Sequence, residues 1–257
     1  MSKYDINPEL NDKLVLSLEN QGQFLEDISF VYAMQAFPIL VPTKIFYFEI
    51  DGHKTLPMFT TEADLAVFEK ALTNVETEWE LRPIRDVLTA LMATDIESVA
   101  FNPKLSSDPS NGNTAYFDKK ALLEFLGYYT EILNVILDPK NVSADRMERT
   151  YLVPMFLRQN AEGDIKRAFA SLTSADGRDF IPVFDNLNSF ATWYNEAYFR
   201  DPFRENGGQV FAIGLDELRH PKDGNSIFAN SLGVTINPLD SSIDEYEKTL
   251  MTWEEID

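Results

Sequence analysis

The sequence predicts an α+β protein of two tandem similar domains, each a small, mainly antiparallel or mixed sheet packed by helices. Three observations predict it. First, "DGHKTLPMF" at 51–59 returns as "DGRDFIPVF" at 176–184, and the same offset of 125 residues pairs Leu65 with Phe190, Phe68 with Trp193 and Leu72 with Ala197. Self-similarity of this kind marks a duplicated structural unit. Second, strand-like segments and helical periodicity alternate in the same order around both copies. Third, 257 residues with 44% hydrophobic and 12% aromatic side chains suffice for two ordinary domains with real cores. A boundary in the Ser-, Pro- and Asn-rich stretch "NPKLSSDPSNGNTAY" gives domains at 1–110 and 111–257.

The first copy opens with helices. "NPELNDKLVLSL" offers Asn7 as N-cap, Pro8 at the first helical position, and Leu10, Leu14 and Leu18 on one side. A second helix is predicted over 24–36. "LVP" at 40–42 and the aromatic, β-branched run "TKIFYFEI" at 43–50 read as strand. Asp51-Gly52 suits a tight hairpin turn, because Gly lacks a Cβ and Asp tolerates the left-handed region. In the next short strand Pro57 has no N–H to donate, so it belongs at a sheet edge or a strand end, ahead of Phe59. Thr61 caps the following helix with Asp64 three residues on, and Leu65, Phe68 and Leu72 form its core face. "VAFNP" at 99–103 reads as a strand stopped by Asn102-Pro103, where Asn bonds its own backbone to start a turn and Pro blocks the ladder.

The second copy repeats the order with insertions. "DKKALLEFLGYYTEILNVIL" at 118–137 is a helix ending at Asp138-Pro139, and "SADRMERT" adds a short one. "LVP" returns at 152–154, offset by only 112, so the second copy carries an additional hairpin over "MFLRQNAEGDIKRAF". "IKRAFASLT" at 165–173 reads as a strand, Asp176-Gly177 as the matching turn, and Pro182 and Phe184 as the matching strand. Asn186 caps a helix whose face is Phe190, Trp193 and Ala197. "VTINP" closes the copy at Asn237-Pro238, offset by 135, with the extra ten residues around "DPFRENGGQ". The tail reads as one docking helix, or with its acidic outer face as a helix offered to a partner, with Ser242 and Glu245 as a capping box and Ile243, Tyr246, Leu250 and Trp253 on one face.

Composition removes several function classes. Asp and Glu number 42 against 22 Lys and Arg, a net charge of −20. That charge repels phosphate backbones and argues against nucleic acid, while favouring basic partners. With no Cys, disulfides, thiolate metal sites and Cys nucleophiles are ruled out, and a cytoplasmic bacterial location is expected. The amino-terminal stretch lacks an apolar signal core, and no run of about 18 apolar residues exists, so no membrane span is expected.

No nucleophile elbow, zinc-protease helix, phosphate loop or dinucleotide glycine pattern occurs. His53 follows the first turn, where the second copy has Arg178, as at a solvated position. His220 stands four residues after Asp216, too small a set for a metal. "NGG" at 206–208 is a lone loop, and Glu76, Glu78 and Glu80 read as a solvated face. Asp51 and Asp176 recur, but their turn role accounts for both. No catalytic residue, cofactor or metal is therefore expected. The one departure from the acidic background is Arg146, Arg149, Arg158, Lys166, Arg167 and Arg178. Of these, Arg158, Lys166, Arg167 and Arg178 are the candidate contacts to an anion or a partner; the plainer expectation is ion pairing with Asp145, Glu148, Glu162 and Asp164.

The order "LVP", strand, Asp-Gly, "PxF", helix, strand, "NP" resembles the SseB N-terminal domain family, bacterial proteins named for an enhanced serine sensitivity phenotype. The resemblance covers 40–103 and 152–238 as two copies, the first departing by its shortened hairpin. It implies an intracellular accessory or interaction protein and carries over no catalytic residues. Two readings follow. One is a non-catalytic protein that meets a protein partner, of which an immunity-type inhibitor of a basic toxin is a sharper form. The other is a regulator that binds a small molecule, an amino acid by the family's name, in a cleft between the copies. Hydrolysis by carboxylates is a minor third, since no matched acid–base pair stands out.

Overall fold

The computed structural model describes residues 3–72, 77–105, 112–159, 163, 165–174, 176–221, 226–227, 231–241 and 243–257. It is an α+β protein whose chain divides into two compact units, Met1–Thr130 and Glu131–Asp257.

In the first unit, α1 (Pro8–Glu19) starts on Asn7, whose side chain accepts the Glu9 N–H at 2.9 Å. α2 (Phe24–Ala36) packs on it, burying Leu10, Leu14, Ile28 and Val31. β1 (Ile39–Pro42) pairs antiparallel with β4 (Trp79–Arg82). β2 (Phe48–Ile50), β3 (His53–Met58), β5 (Ser98–Phe101) and β6 (Ala115–Asp118) form a sheet in that order, with β3 and β5 parallel and both outer strands antiparallel. α3 (Glu62–Ala71) and α4 (Ile84–Met92) lie between β3 and β5 in the chain, and α5 (Lys119–Ile136) follows β6. Phe59, Phe68 and Trp79 meet with ring centroids 5.2–6.2 Å apart; of the predicted stripe Leu65 and Phe68 are core, while Leu72, just past the end of α3, is half-buried. Each such side chain contributes on the order of 2–3 kcal/mol by burial.

The second unit contains α6 (Pro139–Ser143), β7 (Thr150–Gln159), β8 (Ile165–Phe169), β9 (Leu172–Thr173), β10 (Asp179–Val183), α7 (Leu187–Asn195), α8 (Ala197–Glu205), β11 (Gln209–Gly214), α9 (Leu215–Arg219), β12 (Ser226–Ile227), β13 (Ser231–Ile236), a 3₁₀ turn (Ile243–Thr249), β14 (Leu250–Thr252) and α10 (Trp253–Ile256). One sheet runs β9-β10-β13-β14, with β10 and β13 parallel and both outer strands antiparallel. The other runs β11-β7-β8-β12.

Strand pairing recurs between the units. A bridge joins Leu40 to Phe59 and another joins Leu152 to Phe184. Each parallel pair is followed by an Asn with positive φ, Asn102 at 46° and Asn237 at 48°. The Asn102 N–H donates to the Met58 carbonyl at 2.8 Å, and the Asn237 N–H to the Val183 carbonyl at 2.9 Å. The caps recur as well: Thr61 accepts from the Asp64 N–H and Asn186 from the Ser189 N–H.

Several expectations need correction. β6, past the expected boundary at 110, pairs with β5, and the first compact unit runs on to Thr130 within α5. Only Phe48–Ile50 of the 43–50 run is strand. The 165–173 run is two strands in different sheets: β8 completes the added hairpin with β7, whereas β9 pairs with β10. Asp51 and Gly52 have φ of 50° and 83° and close a two-residue hairpin between Ile50 and His53. The second turn is wider: Gly177 N–H donates to Ser174 O at 2.9 Å and Ser174 N–H to Arg178 O at 2.8 Å. Pro57 and Pro182 lie on interior strands, near their ends and past the reach of β2 and β9, so no ladder donor is lost there. The short helix after α5 is Pro139–Ser143, started by the Asp138 side chain, not "SADRMERT". The tail is a 3₁₀ turn, a strand on β13 and one helical turn; its capping box is Thr252 with Glu255, while Ser242 lies outside the described residues.

Candidate functional site

Beyond the carboxyl ends of the parallel strands the chain must turn, and in open sheets this is where ligands gather. Asn102 and Asn237 make the turn possible, since Asn tolerates positive φ. Neither bonds its own backbone in the way the sequence suggests. Each reaches across to the loop after the neighbouring parallel strand: Asn102 Oδ1 accepts from Thr60 N at 2.9 Å, and Asn237 Oδ1 from Asp185 N at 3.1 Å. Pro103 and Pro238 follow.

In the first unit this place holds a network of hydrogen-bonded polar groups. Asn102 Nδ2 donates to Thr60 Oγ1 at 2.8 Å and to the Asn113 carbonyl at 2.9 Å. Asn11 of α1 accepts from Thr60 Oγ1 at 2.8 Å and Asn113 Nδ2 at 2.9 Å. Asp64 accepts from Lys104 Nζ at 2.6 Å, from Asn113 at 2.7 Å and from Thr61 Oγ1 at 2.6 Å. Both members of the Asp64–Lys104 pair are buried, their side chains 3% and 9% exposed. Burial pushes the Asp64 carboxyl up, but the hydrogen bonds from Lys104, Thr61 and Asn113 outweigh it and hold it below the usual range.

In the second unit the same place opens into a polar cleft of about 480 Å³. Arg149 Nη1 is 2.5 Å from Asp185 Oδ2, while Asp185 Oδ1 accepts from Asn237 Nδ2 at 2.6 Å and Asn186 Nδ2 at 2.7 Å. Arg149 Nη2 donates to the Val142 and Ala144 carbonyls at 2.8 and 2.9 Å, which fixes the chain between them, and its buried Nε has no acceptor among the described residues. Such a donor costs about 1–3 kcal/mol. Tyr151 is fully buried and donates its hydroxyl to the Arg146 carbonyl at 2.9 Å; burial pushes the phenol up to about 12, so it serves as a donor and not as a base at neutral pH. Lys248 is held by Glu245 at 2.8 Å. Among the described residues the Arg146 guanidinium meets no carboxylate and makes only a 3.5 Å contact with the Lys248 carbonyl. Asp145 and Asp240 complete the charged lining, with Asp240 Oδ2 accepting from Ser189 Oγ at 2.5 Å.

The four expected contact residues are not gathered. Arg158 and Lys166 oppose each other on β7 and β8; Arg167 opposes Leu157 on the other face. Arg178 is taken by Asp176 at 2.6 Å and by both oxygens of Glu247 at 3.0 Å. The Ser174 hydroxyl and Arg178 together hold the Asp176 carboxyl below its ordinary value, a structural use of the second Asp-Gly motif. Arg149 and Arg178 thus pair with Asp185, Asp176 and Glu247 instead of the acids expected for the cluster. Only Arg146 and Arg149, of the six cations noted in the sequence, reach the cleft. His53 lies 3.2 Å from Glu97, and His220 lies 3.5 Å from Asp216 and 3.3 Å from Asp257, all exposed. Among the described residues no group of three His, Asp or Glu is placed to hold a metal ion.

A second kind of hollow recurs at a matching position in both units, between the segment leading into β2 or β9 and the end of α3 or α7. The first, about 720 Å³, is lined by Lys44, Glu69 and Glu78 as well as by Ile45, Phe46 and Trp79. The second, about 660 Å³, is lined by Phe156, Leu172, Trp193, Tyr198, Phe199 and Phe203 among others. In each, the tryptophan indole N–H is buried without an acceptor among the described residues.

No family model and no curated protein matches this chain. Among solved structures it is similar to Anabaena Tic22 (protein transport), at 14% identity and a TM-score of 0.21, over 88% of this chain and 97% of that one. At that score the likeness carries no argument about this chain. The SseB resemblance rests on the sequence motifs.

Proposed function

We propose that this chain is a non-catalytic, cytoplasmic binding protein of the SseB type, made by duplication of one α+β module, and that the cleft at the carboxyl ends of β10 and β13 is its contact site. The single observation behind this is the contrast between the two modules at one topological position. Asn11, Lys104 and Asn113 are hydrogen-bonded across it in the first; Arg146, Arg149 and Asp240 line an opening in the second. The volume suits a small polar molecule. Membership of the SseB family, the duplication and the cytoplasmic location are parts of this reading, supported by the recurring motifs, the recurring strand pairing and the absence of Cys.

The test is thermal stabilisation of the full chain by the small-molecule fraction of the cells that make it. A ligand that binds only the folded form raises the melting temperature by mass action. The wild type is expected to be stabilised, and Ser241→Phe, which plugs the cleft, is expected to lose the effect. Equal stabilisation of both proteins contradicts the proposal.

A second reading keeps a protein partner, favoured by the mainly apolar hollow of the second unit and by Tyr198, which is 83% exposed beside it. A segment presenting apolar side chains is the partner that fits. Unchanged cross-linking of such a partner by Tyr198→Ala would count against it.

A further inference from the structure

Resting on that reading of the cleft, we infer that its ligand carries a single carboxylate, seated on the guanidinium of Arg146. The other two cations of the lining are already neutralised, Arg149 by Asp185 and Lys248 by Glu245. Arg146 is the one whose charge meets no carboxylate among the described residues. A guanidinium presents a planar fork that matches a carboxylate through two parallel hydrogen bonds.

Its surroundings are built. The Tyr151 hydroxyl holds the Arg146 carbonyl, and Arg149 holds the carbonyls of Val142 and Ala144, so the segment bearing Arg146 is fixed before any ligand arrives. The same lining sets an upper bound on ligand charge. Asp145 and Asp240 face the same space, Asp185 being paired with Arg149, and the whole chain carries −20. Each further negative charge on the ligand adds repulsion without a second free cation to offset it. Phosphates and polycarboxylates are therefore the poorer ligands, and a monocarboxylate is the class that fits.

The experiment follows the Arg146 side-chain Nε–H by ¹H–¹⁵N NMR of the full chain while acetate, propionate or benzoate is titrated. Acetamide, citrate and inorganic phosphate are the controls. The monocarboxylates are expected to shift that resonance saturably, acetamide not at all, and citrate and phosphate with affinities lower by about tenfold. Arg146→Gln, whose exposed side chain leaves the fold intact, is expected to lower monocarboxylate affinity by about tenfold or more, and Arg146→Lys to restore part of it. No saturable shift, tighter binding of phosphate, or unchanged affinity in Arg146→Gln overturns the inference. If monocarboxylates fail while the cellular fraction still stabilises the wild type and not Ser241→Phe, the ligand class is wrong and the cleft stands. If Ser241→Phe loses nothing, the cleft reading falls as well.

Discussion

Replacing Asn102 with Ala removes the part of the design that both units share. Asn102 is fully buried, and its side chain serves the Thr60 N–H, the Thr60 hydroxyl and the Asn113 carbonyl. Ala leaves the Thr60 N–H and the Asn113 carbonyl without these partners, at about 1–3 kcal/mol each. It also places a Cβ without a compensating polar group at a φ of 46°, which adds about 1 kcal/mol. The expected loss is about 3–7 kcal/mol, a large share of the stability of a domain. Asn102→Gly loses the same hydrogen bonds but tolerates positive φ, so it should be about 1 kcal/mol less damaging than Ala. Native-state hydrogen exchange of the slowest amides in β3 and β5 reads this out without assuming that the two units unfold together. A loss within about 0.5 kcal/mol of zero for Ala, or a Gly variant worse than Ala, refutes the reasoning.

Three further outcomes follow from named contacts. Lys104→Met leaves Asp64 with a buried charge and no cation at 2.6 Å, and should cost about 3 kcal/mol at neutral pH by urea unfolding. Because the Asp64 carboxyl is held below its unfolded value, that pair's contribution is present above about pH 4 and is lost as pH falls through the folded value, so the gap between variant and wild type should close on acidification. Asp27 has the opposite sign: burial raises its carboxyl despite the hydrogen bonds from Ser17 at 2.6 Å and Tyr129 at 3.1 Å, so lowering the pH from 7 should favour wild type relative to Asp27→Asn. Gly233→Ala would put a Cβ 2.0 Å from the Met251 carbonyl oxygen, so β14 must move off β13; a loss of about 1–3 kcal/mol is expected, with faster exchange of the Met251 amide.

Much of the fold is legible in the letters because local chemistry sets it. Asn7-Pro8 starts α1, Thr61 and Asn186 start α3 and α7, and Leu65, Phe68, Phe190 and Trp193 point inward at helical spacing. The tail is less legible. Its apolar residues fit a helical period, but Leu250–Thr252 is drawn into extended form by β13, whose Gly233 admits the Met251 backbone; an isolated glycine in a strand pattern is the signal that pointed there. The 165–173 run misleads because periodicity within one segment does not say which sheet each half joins. The cleft is the least legible part. Arg146 and Arg149 stand out as basic letters, yet Arg149 finds Asp185 36 residues away and Asn237 finds it 52 residues away, and only the parallel crossover brings them together.

Amide hydrogen exchange of the full chain, with and without the small-molecule fraction of its own cells, puts the account at most direct risk. Slower exchange is predicted around Arg146 to Tyr151, at Asn237 to Ser241 and at Lys248 and Thr249, with no change around Asn102 to Lys104. Protection at Asn102 to Lys104 instead, or protection confined to segments away from the β10 and β13 carboxyl ends, would contradict it.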